Sequence, residues 1–247
     1  MLLAIDVGNT NITAGLFRGA RLAARGRVPT DGSLESLFRS MKARPSQIDG
    51  VIISSVVPKA TASLKKALNR VGLHPQILGE NLKAPIKNRY RIPSQVGQDR
   101  LVNGVAAFRL YGGPAIVVDF GTAVTLDLVS ARCEYLGGLI VPGVGIALEA
   151  LISRTALLPK ITLVPPLEFL GRDTRQSMKS GIFHGYGALC DGVVAGLKSR
   201  YAPRAKVIAT GGHSRLMARY CRSVQIVNPD LTLQGLRLSF KNSQKTP

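Results

Sequence analysis

Apolar positions along this chain follow two rhythms. Short apolar runs stop at Gly or Pro, and between them lie longer stretches with apolar residues every three or four positions. Residues 3–17 read LAIDVGNTNITAGLF and residues 116–129 read IVVDFGTAVTLDLV. Each is an apolar run, then Asp-x-Gly with a small hydroxyl residue behind it, then a second β-prone run. A strand, a tight turn and an antiparallel strand fit both. The second copy begins 113 residues after the first in a chain of 247. This spacing predicts a duplication into two α/β halves, residues 1–113 and 114–247, hinged at Gly112-Gly113-Pro114. In the first half the pattern predicts helices over 34–42, 61–71 and 98–111, and a buried strand over 51–57 ended by Pro58. In the second it predicts helices over 145–154 and from 173 or 174 to 200, then a strand over 207–209 leading into Thr210-Gly211-Gly212. Strands alternating with helices indicate mixed α/β layers. Residues 241–247 read as a frayed tail.

Composition narrows the picture. Hydrophobic residues make up 45% and charged residues 19%, which excludes a disordered chain. No apolar run approaches the roughly eighteen residues of a membrane span. Met1 to Ile5 meets Asp6 too early for a signal peptide, so a cytoplasmic location and no membrane partner are expected. Cys133, Cys190 and Cys221 are far apart and form no CxxC, which points to free thiols rather than disulfides or zinc. Lys and Arg number 33 against 14 Asp and Glu, a net charge of +19. That excess suits anionic partners. It is spread evenly, with 17 basic and 6 acidic residues up to 113 and 16 and 8 beyond. Basic tracts interleaved with aromatics are absent, so the charge reads as a solvated surface rather than a nucleic-acid groove.

The two hairpins carry the candidate chemistry. At Asp6-Val7-Gly8-Asn9-Thr10-Asn11, glycine lets the backbone approach a ligand, and Asn9, Thr10 and turn N–H groups can donate to phosphate oxygens. Asp6 can hold Mg²⁺ through water. A single copy reads first as an ordinary hairpin. Asp119-Phe120-Gly121-Thr122-Ala123 repeats the arrangement, and two such turns can clamp a polyphosphate. Gly97-Gln98-Asp99-Arg100 enters a helix, where the macrodipole favours a carboxylate. An alcohol kinase needs such a group to orient the acceptor and take its proton. Arg100 can bind an anionic substrate group. The plainer alternative is a capping Asp beside a surface Arg.

Two Asp-Gly hairpins followed by a late Gly-Gly, with no Walker A motif or GxGxxG, resemble the acetate-and-sugar-kinase and actin superfamily. DVGNTN, Tyr90, GxDR before a helix, DFGTA, GGxIxPG at 137–143, GRDT at 171–174 with Ser177 and Gly181, and ATGG resemble, in order, the type III pantothenate kinases. The resemblance implies a duplicated ribonuclease-H-like (actin-like ATPase) α/β fold, with two halves around a nucleotide cleft. It implies ATP-dependent phosphorylation of pantothenate, the first step of coenzyme A synthesis, in a homodimer. Carried over, Asp6, Val7, Gly8, Asn9, Thr10, Asn11, Ile12 and Thr13 would form the ATP phosphate loop, and Thr122 would touch ATP. Asp99 would be the proton acceptor. Tyr90, Gly97, Gln98, Asp99 and Arg100 would hold pantothenate. Asp119 would bind a monovalent cation, K⁺ or NH₄⁺, and Mg²⁺ would accompany ATP. Thr174 would complete the pantothenate site from the neighbouring subunit.

Other residues read as structural. His74, His184 and His213 are expected in turn, helix and loop roles, and Asp127 as a half-exposed strand carboxylate. Gly181, Gly185, Gly187, Gly192 and Gly196 weaken the long helix unless close packing across a dimer seam compensates. Two competing readings are a kinase of another small alcohol or carboxylate, and a nucleic-acid-associated regulator built on a degenerate kinase fold. Retention of Asp6, Asp99 and Asp119 weighs against the latter.

Overall fold

A computed structural model describes residues 1–244. The chain forms two units, Met1–Leu110 joined by the segment from Leu231, and Tyr111–Asp230. The break falls three residues before the expected one. The larger difference is at the other end, where residues from 231 join the first unit rather than the second.

The first unit contains strands β1 (Leu2–Val7), β2 (Asn11–Arg18), β3 (Arg21–Pro29), β4 (Gly50–Ser55), β5 (Pro75–Ile77) and the two-residue β6 (Lys87–Asn88). Its first three helices are α1 (Leu34–Met41), α2 (Pro58–Arg70) and α3 (Gln98–Tyr111). The main sheet runs β3-β2-β1-β4-β5, antiparallel on the β2 side of β1 and parallel on the β4 side. β1 lies in the middle with both faces covered, which is why LLAIDV is almost continuously apolar. On one face Leu3, Ile5, Val51 and Ile53 pack with Leu37, Leu64 and Leu68 of α1 and α2. Ser33 caps α1 by accepting from the Ser36 N–H at 3.1 Å. Pro58 does more than end a strand, because it opens α2 at a position where its missing N–H costs nothing.

The second unit repeats the plan. It contains β7 (Ala115–Phe120), β8 (Ala123–Val129), β9 (Glu134–Pro142), α4 (Val144–Ser153), α5 (Thr174–Arg200), β10 (Lys206–Thr210), α6 (Ser214–Met217) and β11 (Ile226–Val227). Its strands lie in the order β9-β8-β7-β10-β11, which matches β3-β2-β1-β4-β5 strand for strand. The echo in the sequence is therefore a duplication of topology. Ile116, Val118, Phe120, Val207 and Ala209 pack with Phe183, Cys190 and Val194 of α5. Asp173 caps α5, accepting from the Gln176 N–H at 2.8 Å.

Helix α7 (Leu231–Ser243) closes the first unit. Leu233 and Leu236 pack with Ala4, Phe17, Ile52 and Val102 on the sheet face opposite α1 and α2. A Cβ at Gly235 would collide with the Val102 carbonyl, so α7 and α3 cross with their backbones close. Residues 241–243 belong to this helix, which corrects the expected frayed tail, and residues 245–247 lie outside the described residues. Among the described residues, no helix is long and apolar enough to cross a membrane.

Candidate active site

In the first unit, the chemistry gathers at one end of the sheet. β1 ends in Asp6 and Val7, and the turn Gly8-Asn9-Thr10 leads into β2 at Asn11, Ile12 and Thr13. The turn is closed by the Gly8 N–H donating to the Asn11 carbonyl at 3.0 Å. Thr30 braces it from outside, its hydroxyl donating to the Gly8 carbonyl at 2.7 Å and its N–H to the Thr10 carbonyl at 3.2 Å. Asn9 and Thr10 are exposed and Ile12 is buried, so the polar tip faces solvent on an apolar root.

The Val56 N–H donates to the Val7 carbonyl at 3.1 Å, carrying the end of β4 alongside the loop. A Cβ built on Gly97 would meet Val56 Cγ1 at 3.7 Å, so the GQDR turn lies beside that strand end. Asp99 folds back over the first turn of α3. Its Oδ1 accepts from the Arg100 N–H at 2.9 Å and lies so close over Gly97 that a Cβ there would collide with it. The sequence thus places the carboxylate on a helix N-terminus, and glycine makes room for it. Arg100 is buried, at 7% exposure, and a charge so enclosed requires compensation. Gln98 packs over Gly79. Tyr90 is half-buried, and its N–H is accepted by Asn88 Oδ1 at 3.0 Å. The structure thus joins the first hairpin and GQDR at one edge of one unit.

In the second unit, glycines press upon the other hairpin. Asp119 ends the polar side of β7, and the Gly121 N–H donates to the Ala123 carbonyl at 3.1 Å across the exposed Thr122. Gly211 has φ +91°, and any Cβ there would collide with Asp119 Oδ1. Gly143 leaves no room for a Cβ against the Thr122 carbonyl. The His213 N–H donates to the Phe120 carbonyl at 3.1 Å. The three glycine motifs of this half therefore converge on the Asp119–Ala123 hairpin. Tyr186 of α5 helps hold them, its hydroxyl donating to the Pro142 carbonyl at 2.8 Å, and burial raises its pKa. Thr174 is an exposed residue in the first turn of α5.

Some expectations change. Asp127 is fully buried, not half-exposed: the hydroxyls of Tyr135 and Thr125 donate to it at 2.8 and 2.9 Å. Gly187 abuts Tyr220 within its own unit, while Gly181, Gly185 and Gly192 face open space. His184 packs between the rings of Phe169 and Tyr220. Cys190 and Cys221 are buried free thiols, and their mutual hydrogen bond and burial push the Cys221 thiol up. The sequence reading missed Ser54 and took Thr210 only as part of a glycine turn; the two stand in register beside Asp6 and Asp119. A second echo carried the signal: Val51-Ile52-Ile53-Ser54 and Val207-Ile208-Ala209-Thr210 lie in matching strands.

Among the described residues, no group of three or more His, Cys, Asp or Glu could hold a metal by itself. A single carboxylate at a glycine turn, such as Asp6, is a donor type that suits Mg²⁺, which keeps most of its waters. Against known proteins, residues 2–196 match the model of the family described as type III pantothenate kinase. A type III pantothenate kinase of Moorella thermoacetica is 41% identical, covering 98% of this chain and all of the relative. The fold is shared with a Campylobacter jejuni protein assigned to the Baf family of transcriptional activators, at TM-score 0.66 and 20% identity, covering 99% of this chain and all of that one. It is also shared with component A of (R)-2-hydroxyglutaryl-CoA dehydratase from Acidaminococcus fermentans, at TM-score 0.58 and 13% identity, covering 99% of each chain. These last two likenesses speak to the fold alone, whereas the motifs, their geometry and the full-length match agree that this chain belongs to the type III pantothenate kinase family.

Proposed function

We propose that Asp99 is the general base of the family's reaction in this chain. That reaction is ATP-dependent phosphorylation of pantothenate, the first step of coenzyme A synthesis. The observation that carries the assignment is the Asp99 carboxylate, fixed on the α3 N-terminus at the same sheet end as the DVGNTN turn. The acceptor hydroxyl attacks the γ-phosphorus as Asp99 takes its proton. The bond from that phosphorus to the ADP oxygen breaks, and ADP leaves. The transition state is loose, so positioning and charge neutralisation do most of the work. Asn9 and Thr10 would present donors to the phosphates, and Thr122 is read as a further ATP contact. Gly97, Gln98, Arg100 and Tyr90 hold pantothenate, with Arg100 opposing its negative charge.

Mg²⁺ would be held at Asp6 and would neutralise phosphate charge. K⁺ or NH₄⁺ would be held at Asp119, whose carboxylate lies against Gly211 where any side chain would displace it. We read the working form as a cytoplasmic homodimer in which Thr174 completes the partner's pantothenate site. The exposed stripe of α5 supports this: Gly181, Gly185, Ala188, Gly192, Ala195 and Ser199 recur every three or four residues, as close helix packing requires. Exposed Leu136, Leu139, Ile140 and Tyr201 add apolar surface to the same unit. Another acceptor fits less well, since full-length relatives are named for pantothenate.

An ADP-release assay with Mg-ATP and pantothenate, in potassium or sodium alone, tests the reading. Asp99→Asn keeps the side chain's shape but cannot take the proton, so kcat should fall about 10²–10⁴-fold with little change in pantothenate KM. A variant within threefold of the parent would remove Asp99 as the base.

A further inference from the structure

Ser54 and Thr210 are fully inaccessible to solvent, and neither hydroxyl oxygen has a hydrogen-bond partner among the described residues. A buried hydroxyl in that state has given up its bonds to water and gained none, so it weakens the fold it sits in. Packing gives no reason to keep it. Valine or alanine would fill either position.

Their placement supplies a reason. Ser54 lies in register with Asp6 on the neighbouring parallel strand, and Thr210 lies in register with Asp119. In-register residues of a parallel pair share a face of the sheet. From the other side, Thr13 pairs with Asp6 and Thr125 with Asp119. Each aspartate is therefore the middle of a row of three oxygen-bearing side chains across the sheet. The row is Ser54, Asp6, Thr13 in one unit and Thr210, Asp119, Thr125 in the other. In the second unit the Thr125 hydroxyl donates to Asp127 Oδ2 at 2.9 Å, which leaves its lone pairs to face elsewhere. Asp127 puts a second carboxylate, fully buried, just behind the row. A carboxylate flanked by hydroxyl oxygens is a donor set for a hard cation.

We propose that Thr210 is an oxygen ligand of the monovalent cation, and that Ser54 is its counterpart beside Asp6. The proposal rests on the assignment of that cation to Asp119. The unsatisfied hydroxyl is then a ligand waiting for its ion. The stability that burying the hydroxyl costs would be recovered when the ion binds.

Thermal unfolding separates the possibilities. The parent, Thr210→Val, Thr210→Ser and Asp119→Asn would be melted in potassium, ammonium and tetramethylammonium chloride, the last being too large for the row. Potassium should raise the parent's Tm by about 3–10 °C over tetramethylammonium. Thr210→Val should match or exceed the parent in tetramethylammonium and lose the rise, while Thr210→Ser keeps it. The potassium concentration for half-activation of Thr210→Val should increase about tenfold or more. A full rise in Thr210→Val beside a lost rise in Asp119→Asn would overturn the role of Thr210 and leave Asp119 standing. A lower Tm of Thr210→Val in every salt would also overturn it, by making the hydroxyl structural. A rise that survives in Asp119→Asn, or no rise in the parent, would remove the cation from Asp119 and the proposal with it.

Discussion

Gly211 shows how much one residue can settle. Its φ of +91° is costly for any other residue, and the space where a Cβ would go holds Asp119 Oδ1. Gly211→Ala should destabilise the protein by about 1–3 kcal/mol from backbone strain. It should also raise the KM for ATP by displacing Asp119, and denaturant melts with ATP titrations would register the two effects separately. Residues at turns were readable from sequence because turn chemistry is local. Asp6, Asp99 and Asp119 each announce themselves by a glycine two positions away. Ser54, Thr210 and Asp127 were not readable in this way. Their meaning depends on which residue faces them on another strand, and register is set by the whole sheet. Asp127 in particular becomes a buried group only because the Tyr135 hydroxyl reaches it from β9.

At the level of elements, α5 is held to the rest of its unit partly by one carboxylate. Burial alone would raise the pKa of Asp191. Donation from the Ser223 hydroxyl and N–H at 2.7 and 2.8 Å, and from the Arg222 N–H at 3.0 Å, outweighs it and holds the group below the usual carboxylate range. A lowered pKa in the folded state stabilises the protein above the unfolded value near 3.9, and the gain is lost as pH falls through the folded value. Asp191→Asn should therefore cost about 1–2 kcal/mol at pH 7, and its melting curve should converge on the parent's in strong acid. On the open face of the same helix, Gly192→Leu should convert a dimer to monomers, read by light scattering, and reduce turnover with it. Helix ends were legible where their signals are punctuation: Asp173 caps α5, and Gly72 directly follows the residue that caps the end of α2. β3 was missed. It is an edge strand whose arginines alternate with small residues, and such charge protects an edge while hiding the apolar alternation that marks a strand.

For the molecule as a whole, the duplication was legible and the chain's path through it was not. The hairpin echo foretold two equal units, but nothing local tells α7 which sheet to cover. Its apolar face is generic, and the choice is made by complementarity with Ala4, Phe17, Ile52 and Val102. Arg237 adds a contact over the Phe17 ring, 5.8 Å from its centroid. Truncation after Asp230 removes Leu233 and Leu236, each burying about 1.5–3 kcal/mol of apolar surface, from a fold whose total stability is of order 5–15 kcal/mol. Limited proteolysis of that variant should cut within residues 1–110 rapidly and spare residues 111–230. The same arrangement bears on how the protein is made. Residues from 231 emerge from the ribosome after every residue of the second unit, so the N-terminal sheet waits, with one apolar face bare, while the later unit can already close. Synthesis here reverses the usual order in which N-terminal domains finish first, and the interval before release is when this chain most needs a chaperone.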